Sequence, residues 1–571
     1  MAISNRIKYG AIGAAVLAAA VTTTTFLLPA TGIVNARTGQ GYDNLQAAID
    51  AAQSGDTLNM NGVTAICNCV ENKGLIIAGP GVVKTPNSIA ALYYPPATPP
   101  AKLKGLEITT SSGPVSDIVR YGISGPEQDT DAELPQGLTI EECDIHGQPG
   151  QEVKRGVAAN GANFVIRNSR VREIHGLGYD TQAICGWNSP GPFLIEDNEL
   201  QAAGENVMFG GADPSIPNLV PSDITIRRNR FWKDPAWLKV WTVKNLLETK
   251  NARRVMVDGN VFENIWPDAQ VGFAILLKSN NQDSTAPWSV TEDVVFSNNI
   301  VRNAEHGLNI LGTEYPPKVS GVTKRIKIIN NFWDVRRIWL QITRGGEDIQ
   351  LSHNTFVTQD GNTAVFGDSG EPTVKGFVLR DNIGVRAGYG VKGDGTAEGT
   401  PTLNTWTPGW AMTGNVLADQ HVQSPITSVT YPSGNAYPAS LAAIGFVDLA
   451  GGNYRLAASS PYKGKATDGK DPGVDWDALE AAQGKPPSQP SPTASATPTA
   501  TATQTPVPSP TLTPSPTPTV APVPSPSSLP KPSPSPTATP LPICAPNQVV
   551  GSPPKCRCTT MLIGNPKRCK P

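Results

Sequence analysis

Four residues between positions 244 and 306 are of the types that move protons: Lys244, Glu248, Lys278 and His306. Around them lie residues suited to holding acidic sugars: Trp237, Trp241, Lys250, Asp268, Asn309, Arg336, Arg337 and Gln341. Tryptophan faces stack on pyranose rings, and lysine and arginine pair with uronate carboxylates. A lysine desolvated among other cations falls in pKa and can take a proton beside a carboxylate. That would be elimination or epimerisation on a uronic-acid polymer. The plainer reading of Glu248 and Lys278 is a cross-strand ion pair on a solvated face. A glycan binder without catalysis would need only the aromatic and cationic residues. These positions are scattered along the chain, so their chemistry depends on what stacks them.

The stacking element is a repeated apolar–x–apolar–x–x–Asn pattern. It recurs at Asn198, Asn229, Asn260, Asn299, Asn331, Asn354, Asn382 and Asn415, with Cys143 and Ser169 in the two earlier copies. Successive spacings are 26, 29, 31, 31, 39, 32, 23, 28 and 33 residues. A period in this range belongs to a stacked, quasi-one-dimensional fold. Alternation of period two inside each copy makes the element a strand. Asparagine tolerates the left-handed backbone that a sharp turn without a hairpin needs. Stacked copies can join their amides into a ladder along the axis. A second apolar strand precedes each copy (Val207–Phe209, Leu246–Leu247, Phe273–Leu277, Leu308–Leu311, Trp339–Ile342), and a short third one follows the Asn, as at Val261–Phe262. Three strands per turn of chain predict an all-β, right-handed, single-stranded parallel β-helix. Ten coils would extend about 45 Å.

The pattern resembles the pectin-lyase-like superfamily of parallel β-helices over roughly residues 38–465. The stretch Leu45–Leu58 looks like its N-terminal capping helix, with Leu45, Ala48, Ile49 and Ala52 at helical spacing and Gly55 placed to end it. This fold hosts lyases, hydrolases, epimerases, adhesins and phage fibres, so the resemblance speaks to fold far more than to reaction. It implies that the Asn turn joins the second and third strands, and that substrate crosses the first strand and the loops feeding it. On that geometry Leu247 points in and Leu246, Glu248 and Lys250 point out. Phe273, Ile275 and Leu277 point in, which places Lys278 directly above Glu248. The loop from Ser279 to Trp288 could wall the groove. Glu305-His306-Gly307 and Arg325-Ile326-Lys327 look like parts of a polygalacturonase motif, but the paired aspartates that supply acid and base are missing. His353, beside Asn354 in the turn column, is read as structural. No cofactor is expected, and no acidic cluster supports Ca2+.

The chain ends differ in composition. Residues 1–36 carry Arg6 and Lys8, an uncharged apolar stretch and Val34-Asn35-Ala36, which reads as a signal peptide. An uncleaved anchor is the alternative, because the uncharged run is long enough to span a membrane. Residues 37–485 form the β-helix domain. Residues 486–542 are a disordered Pro/Ser/Thr-rich linker that favours extended conformations. Residues 543–571 hold Cys544, Cys556, Cys558 and Cys569 among basic residues, which argues for a small disulfide-containing tail, with a zinc site as the alternative. The expected location is secreted or cell-surface. The expected partner is a polysaccharide or cell-wall glycan, with no membrane contact beyond the leader. With 46 basic and 48 acidic residues, nothing points to nucleic acid. Cys143 reads as a buried apolar residue; Cys67 and Cys69 face one side of a strand and either pair or stay reduced.

Overall fold

The computed structural model describes residues 32–111, 113–367 and 370–484. The linker, the cysteine tail with its four candidate disulfide cysteines, and residues 1–31 of the leader lie outside the described residues.

Three parallel sheets run side by side along the fold. The first sheet has 12 strands and the third 13; the second is parallel throughout except for its first two pairings. The chain visits them in fixed order: strand Gln182–Gly186 of the first sheet, Phe193–Glu196 of the second, Glu199–Ala202 of the third, then Glu205–Phe209 back in the first. This is the expected parallel β-helix. It has thirteen coils rather than ten, about 60 Å of stacking. The extra three precede Cys143 and escape the repeat because the full pattern is missing there: Leu106 and Pro80 hold the turn place in two of them, and Asn61 holds it in the first but follows Asp56 instead of an apolar residue.

From Cys143 onward the turns from second to third sheet are held by the asparagine column. Asn331 Oδ1 accepts both the backbone N–H (2.8 Å) and the Nδ2 (3.0 Å) of Asn299, whose Nδ2 also donates to the Val257 carbonyl one coil away (2.9 Å). The same geometry links Asn198, Asn229, Asn260, Asn299, Asn331, Asn354, Asn382 and Asn415, and continues to Asn435. Ser169 and Cys143 extend it the other way. The left-handed residue, however, is the one before the ladder position, not the asparagine itself: Asp197 (φ 56°), Arg228 (54°), Gly259 (67°), Asn298 (56°) and His353 (53°). The asparagine is selected for its amide, which satisfies groups on both neighbouring coils. Gly259 has a further reason: a Cβ there would lie 2.4 Å from the Ala482 carbonyl.

Inside, aromatic side chains stack from coil to coil, as in Phe231–Phe262 (4.4 Å) and Phe296–Trp333 (5.5 Å). At the N-terminal end, helix Leu45–Ala51 buries Leu45, Ala48 and Ile49 over the open sheets, capped by Asn44, which accepts from Ala47 N–H (3.0 Å). The helix stops at Ala51; Gly55 (φ 82°) serves the turn beyond it. Strand Ile33–Asn35 pairs with Gly41–Tyr42 and Thr57–Asn59, Ile33 is fully buried, and Asn35 donates to Asp56 (2.8 Å). Residues 33–35, read from the sequence as the end of the leader, are thus part of the folded body. At the far end the chain folds back along the turn corner. Thr467 donates to Asp381, Asp475 N–H to Asn330 Oδ1 (2.6 Å), and helix Trp476–Ala482 sets Trp476 against Phe332. Cys67 and Cys69 form a disulfide, while Cys143 and Cys185 are buried thiols. No helix among the described residues is long and apolar enough to cross a membrane.

Candidate active site on the first sheet

Strict alternation fails in the first sheet. In several strands two consecutive residues enter the core: Ala183 and Ile184, Leu246 and Leu247, Ala274 and Ile275. In strand Glu205–Phe209 the pair is Asn206 and Val207, with Asn206 Nδ2 donating to carbonyls of Leu200 and Trp232 in the third sheet. Leu246, expected outside, is thus inside. The doubled inward step brings residues three apart onto the same outer face, so Asn245 Nδ2 reaches Glu248 Oε2 (3.0 Å). Two columns run along that face. One is Asp117, Arg155, Gln182, Glu205 and Asn245. The other is Cys185, Met208, Glu248, Leu276, Asn309 and Gln341. Phe273, expected inside, lies outside the core cluster and stacks on His306 (4.7 Å) at the same strand position.

The two columns bring together two glutamates and three lysines. Glu248 is 1% exposed, with Lys278 Nζ at 3.1 Å and Lys250 Nζ at 3.9 Å. Leu276, not Lys278, stands opposite Glu248; the lysine reaches back diagonally from the end of its strand. Glu205 is fully buried. Its Oε2 accepts from Gln182 Nε2 (2.9 Å), and its Oε1 lies 3.9 Å from Lys244 Nζ, which is ion-paired with Asp180. Oε1 of Glu205, Oε1 of Gln182 and Oδ1 of Asn245, on three successive strands, accept no hydrogen bond although buried. Lys250 also donates to Gln282 Oε1 (3.0 Å), tying the loop 279–288 to the site. That loop is clasped to the one before it: Asp213 and Asp283 each accept the other's backbone N–H (3.0 Å).

The two glutamates are driven apart electrostatically. Burial, then the charges of Glu248 and Asp180, push the Glu205 carboxyl up to about 7. Burial works on Glu248 in the same direction, but Lys278, Lys250 and the Asn245 amide outweigh it and hold Glu248 down to about 2. Burial also works to discharge Lys250, yet the carboxylates of Glu248, Glu205 and Asp180 keep its pKa above the ordinary lysine value. Lys250 is therefore a fixed cation, and Lys278 is ion-paired to Glu248. Neither lysine fits the desolvated, discharged state expected from the sequence; the group brought near neutrality is Glu205.

The remaining sequence-predicted residues divide. Asp268 is exposed, accepts from Val243 N–H (2.7 Å), and lines a cavity of about 400 Å³ with Tyr179, Asp180 and Lys244 beside the glutamates. Asn309 donates to Gln341 (2.9 Å) further along the Glu248 column. His306 is engaged elsewhere, accepting from Ile338 N–H (3.2 Å); burial, Arg337 and Arg336 pull it down to about 4, so it is neutral. Arg336 and Arg337 are exposed, near Glu305 and Asp360. Trp237 is no sugar platform: it is 5% exposed and packs edge-on against His175, and Trp241 lays one face on the same imidazole (4.2 Å).

Sequence reasoning missed Glu205, Gln182, Asp180 and Asn245. Glu205 stands two residues before the inward Val207, so strict alternation turns it inward too; only the polar type of residues 205–206 marks this strand start as unusual. A cavity of about 620 Å³ lies instead by the turn corner, lined by Asn330, His353, Lys470 and Trp476 among others. His353 lies near Asp381 and Asp468 there, but the Asp381 carboxylate already accepts from Thr467 N–H (2.7 Å) and Oγ1–H (2.6 Å).

No family model matches this chain, and no curated protein sequence matches it. Among solved structures it is similar to the catalytic unit of a GH87 α-1,3-glucanase from Streptomyces thermodiastaticus strain HF3-3, at 13% identity over 71% of this chain and 72% of that one, with a TM-score of 0.40. A PL6 alginate lyase in complex with a trisaccharide matches at 12% identity over 69% and 81%, TM-score 0.35. A family 28 exopolygalacturonase of Yersinia enterocolitica matches at 9% identity over 71% and 77%, TM-score 0.29. Likeness at this level concerns coil architecture alone. The fold of this chain, established by its own strand order and register, is a parallel β-helix.

Proposed function

We propose that this protein acts on a carboxylated extracellular polysaccharide at the outer face of its first sheet. In this reading Lys244, Lys250 and Lys278 take the sugar carboxylates and Glu205 exchanges a proton. One observation carries it: two buried glutamates in a single site are held at opposite ends of the protonation range, Glu205 near 7 and Glu248 near 2. Such a split separates a proton-exchanging group from a permanently charged one. Glu248 stays ionised and fixes the ammonium groups of Lys278 and Lys250. A cation against a uronate carboxylate acidifies the neighbouring C–H, and a carboxyl titrating near neutrality can remove that proton or return it. Elimination or epimerisation is the reaction class. The experiment is incubation of the exported form with a panel of uronate-containing and neutral polysaccharides, following the absorbance of unsaturated product and the appearance of reducing ends. Unsaturated product that vanishes in Glu205→Gln and Lys278→Ala supports the reading; activity unchanged in both variants overturns the site.

The second reading is a non-catalytic glycan binder or adhesin. It is favoured by one feature: both glutamates are buried, while the lysine ammoniums beside them reach the surface. Tight uronate binding with no product on any substrate, weakened by Lys278→Ala and untouched by Glu205→Gln, selects it.

A further inference from the structure

Lys233 is a charged residue in the apolar interior. It is fully buried, and its Nζ donates to three consecutive carbonyls, Ala202 (2.7 Å), Ala203 (3.0 Å) and Gly204 (2.7 Å), and to Asn206 Oδ1 (3.1 Å). An ammonium has three protons, so the cage leaves it no free donor. All four partners are neutral. A buried charge held only by neutral groups is costly, and an apolar residue of similar volume at such a place is commonly as stable or more so. Stability does not explain it. Its position does: the four acceptors bracket Glu205, three on the residues before it and one on the residue after.

We propose that Lys233 is a positioning residue for Glu205, gripping from inside the solenoid the backbone that aims this carboxyl outward and serving as its counter-cation through the strand. The proposal deepens the reading given above and rests on Glu205 being the proton-exchanging group. Glu205 is faced by Gln182 on one neighbouring strand and Asn245 on the other, by Lys244 and Asp180 at the strand start, and by Glu248, Lys250 and Lys278 on the outer face. Lys233 is the charge on the inner side. Burial pulls its pKa down to about 7, and Glu205 is the group that opposes this, so the two support each other's charged forms across the backbone.

The test uses the whole chain and needs no substrate. The midpoint of thermal unfolding is followed against pH for the natural protein and for Glu205→Gln, and the difference between the curves locates the Glu205 titration. The measurement is then repeated with Lys233→Met in both backgrounds. The expected result is a folded protein in which the Glu205 step moves up by at least one pH unit, because a nearby cation is gone. A step that stays in place with the fold intact overturns the proposal. If Lys233→Met does not fold, Lys233→Gln, which keeps donors for the carbonyls and loses the charge, is measured in the same way; failure of both to fold makes Lys233 purely structural and overturns it too. Should the polysaccharide assay be silent while the step still moves, Lys233 positions Glu205 but the proton-transfer reading of the site fails.

Discussion

Glu205 is the residue on which the chemistry turns, and its environment fixes the sign of a pH effect. Its folded pKa, about 7, lies above the ordinary carboxyl value of 4.5. The stability it contributes is complete below about pH 4.5 and is lost as pH rises through 7. Glu205→Gln should remove that loss, raising the unfolding temperature at pH 8 by on the order of 5 °C relative to the natural protein, with little change at pH 4. Glu248 carries the opposite sign: its pKa is depressed, so its contribution is present above about 4.5 and disappears as pH falls toward 2. Lys278→Ala leaves the buried Glu248 with the Asn245 amide and, as counter-cation, the more distant Lys250. The expected cost is about 2 kcal/mol in denaturant unfolding at pH 7, with loss of any uronate binding. Lys244, Glu248, Lys250 and Lys278 were legible as one group, because outward residues on neighbouring strands of a parallel stack must meet. Glu205 and Asn245 were not, because strict alternation misassigns the faces wherever two successive residues enter the core.

At the scale of the element, the asparagine ladder is the part most readable from sequence and the part most exposed to a single change. Its hydrogen-bond geometry demands one residue type, so it leaves a periodic mark. The three N-terminal coils leave none, since the turn there is closed by backbone and apolar packing. The left-handed residue was also misplaced, because asparagine suits both jobs by type and only the structure separates them. Asn299→Ala removes the amide that Asn260 and the Val257 carbonyl use, leaving buried groups unpaired on the preceding coil. It should cost about 3 kcal/mol. Ser169→Ala, which removes one acceptor near the end of the column, should cost about 1 kcal/mol. Equilibrium unfolding of the two variants side by side checks both values.

For the whole molecule, the two ends of the solenoid are where the sequence boundaries meet the fold. Strand Ile33–Asn35 and the Asn35–Asp56–Arg37 cluster close the N-terminal end, so a processed form that keeps the fold should begin upstream of Ile33. N-terminal sequencing of exported protein decides this: a start at Arg37 would mean that the mature chain lacks a buried strand. At the other end, residues 446–484 cover Phe332 with Val474 and Leu479 and clasp Asp381 and Asn330. A chain ending at residue 440 should unfold at lower urea concentration and bind more of a hydrophobic dye.

Every coil of this fold is bonded to its two neighbours, and the ladder contacts span only 20–39 residues of chain. The stack therefore behaves as a series of nearly equivalent links. Stretched between its two ends, such a chain should yield one coil at a time from whichever end loses its cover first. Each step should release about 30 residues, or roughly 100 Å of contour length, and the steps would shorten and lengthen in the order of the coil lengths themselves. Mechanical extension would thus read the repeat back as a sequence of distances.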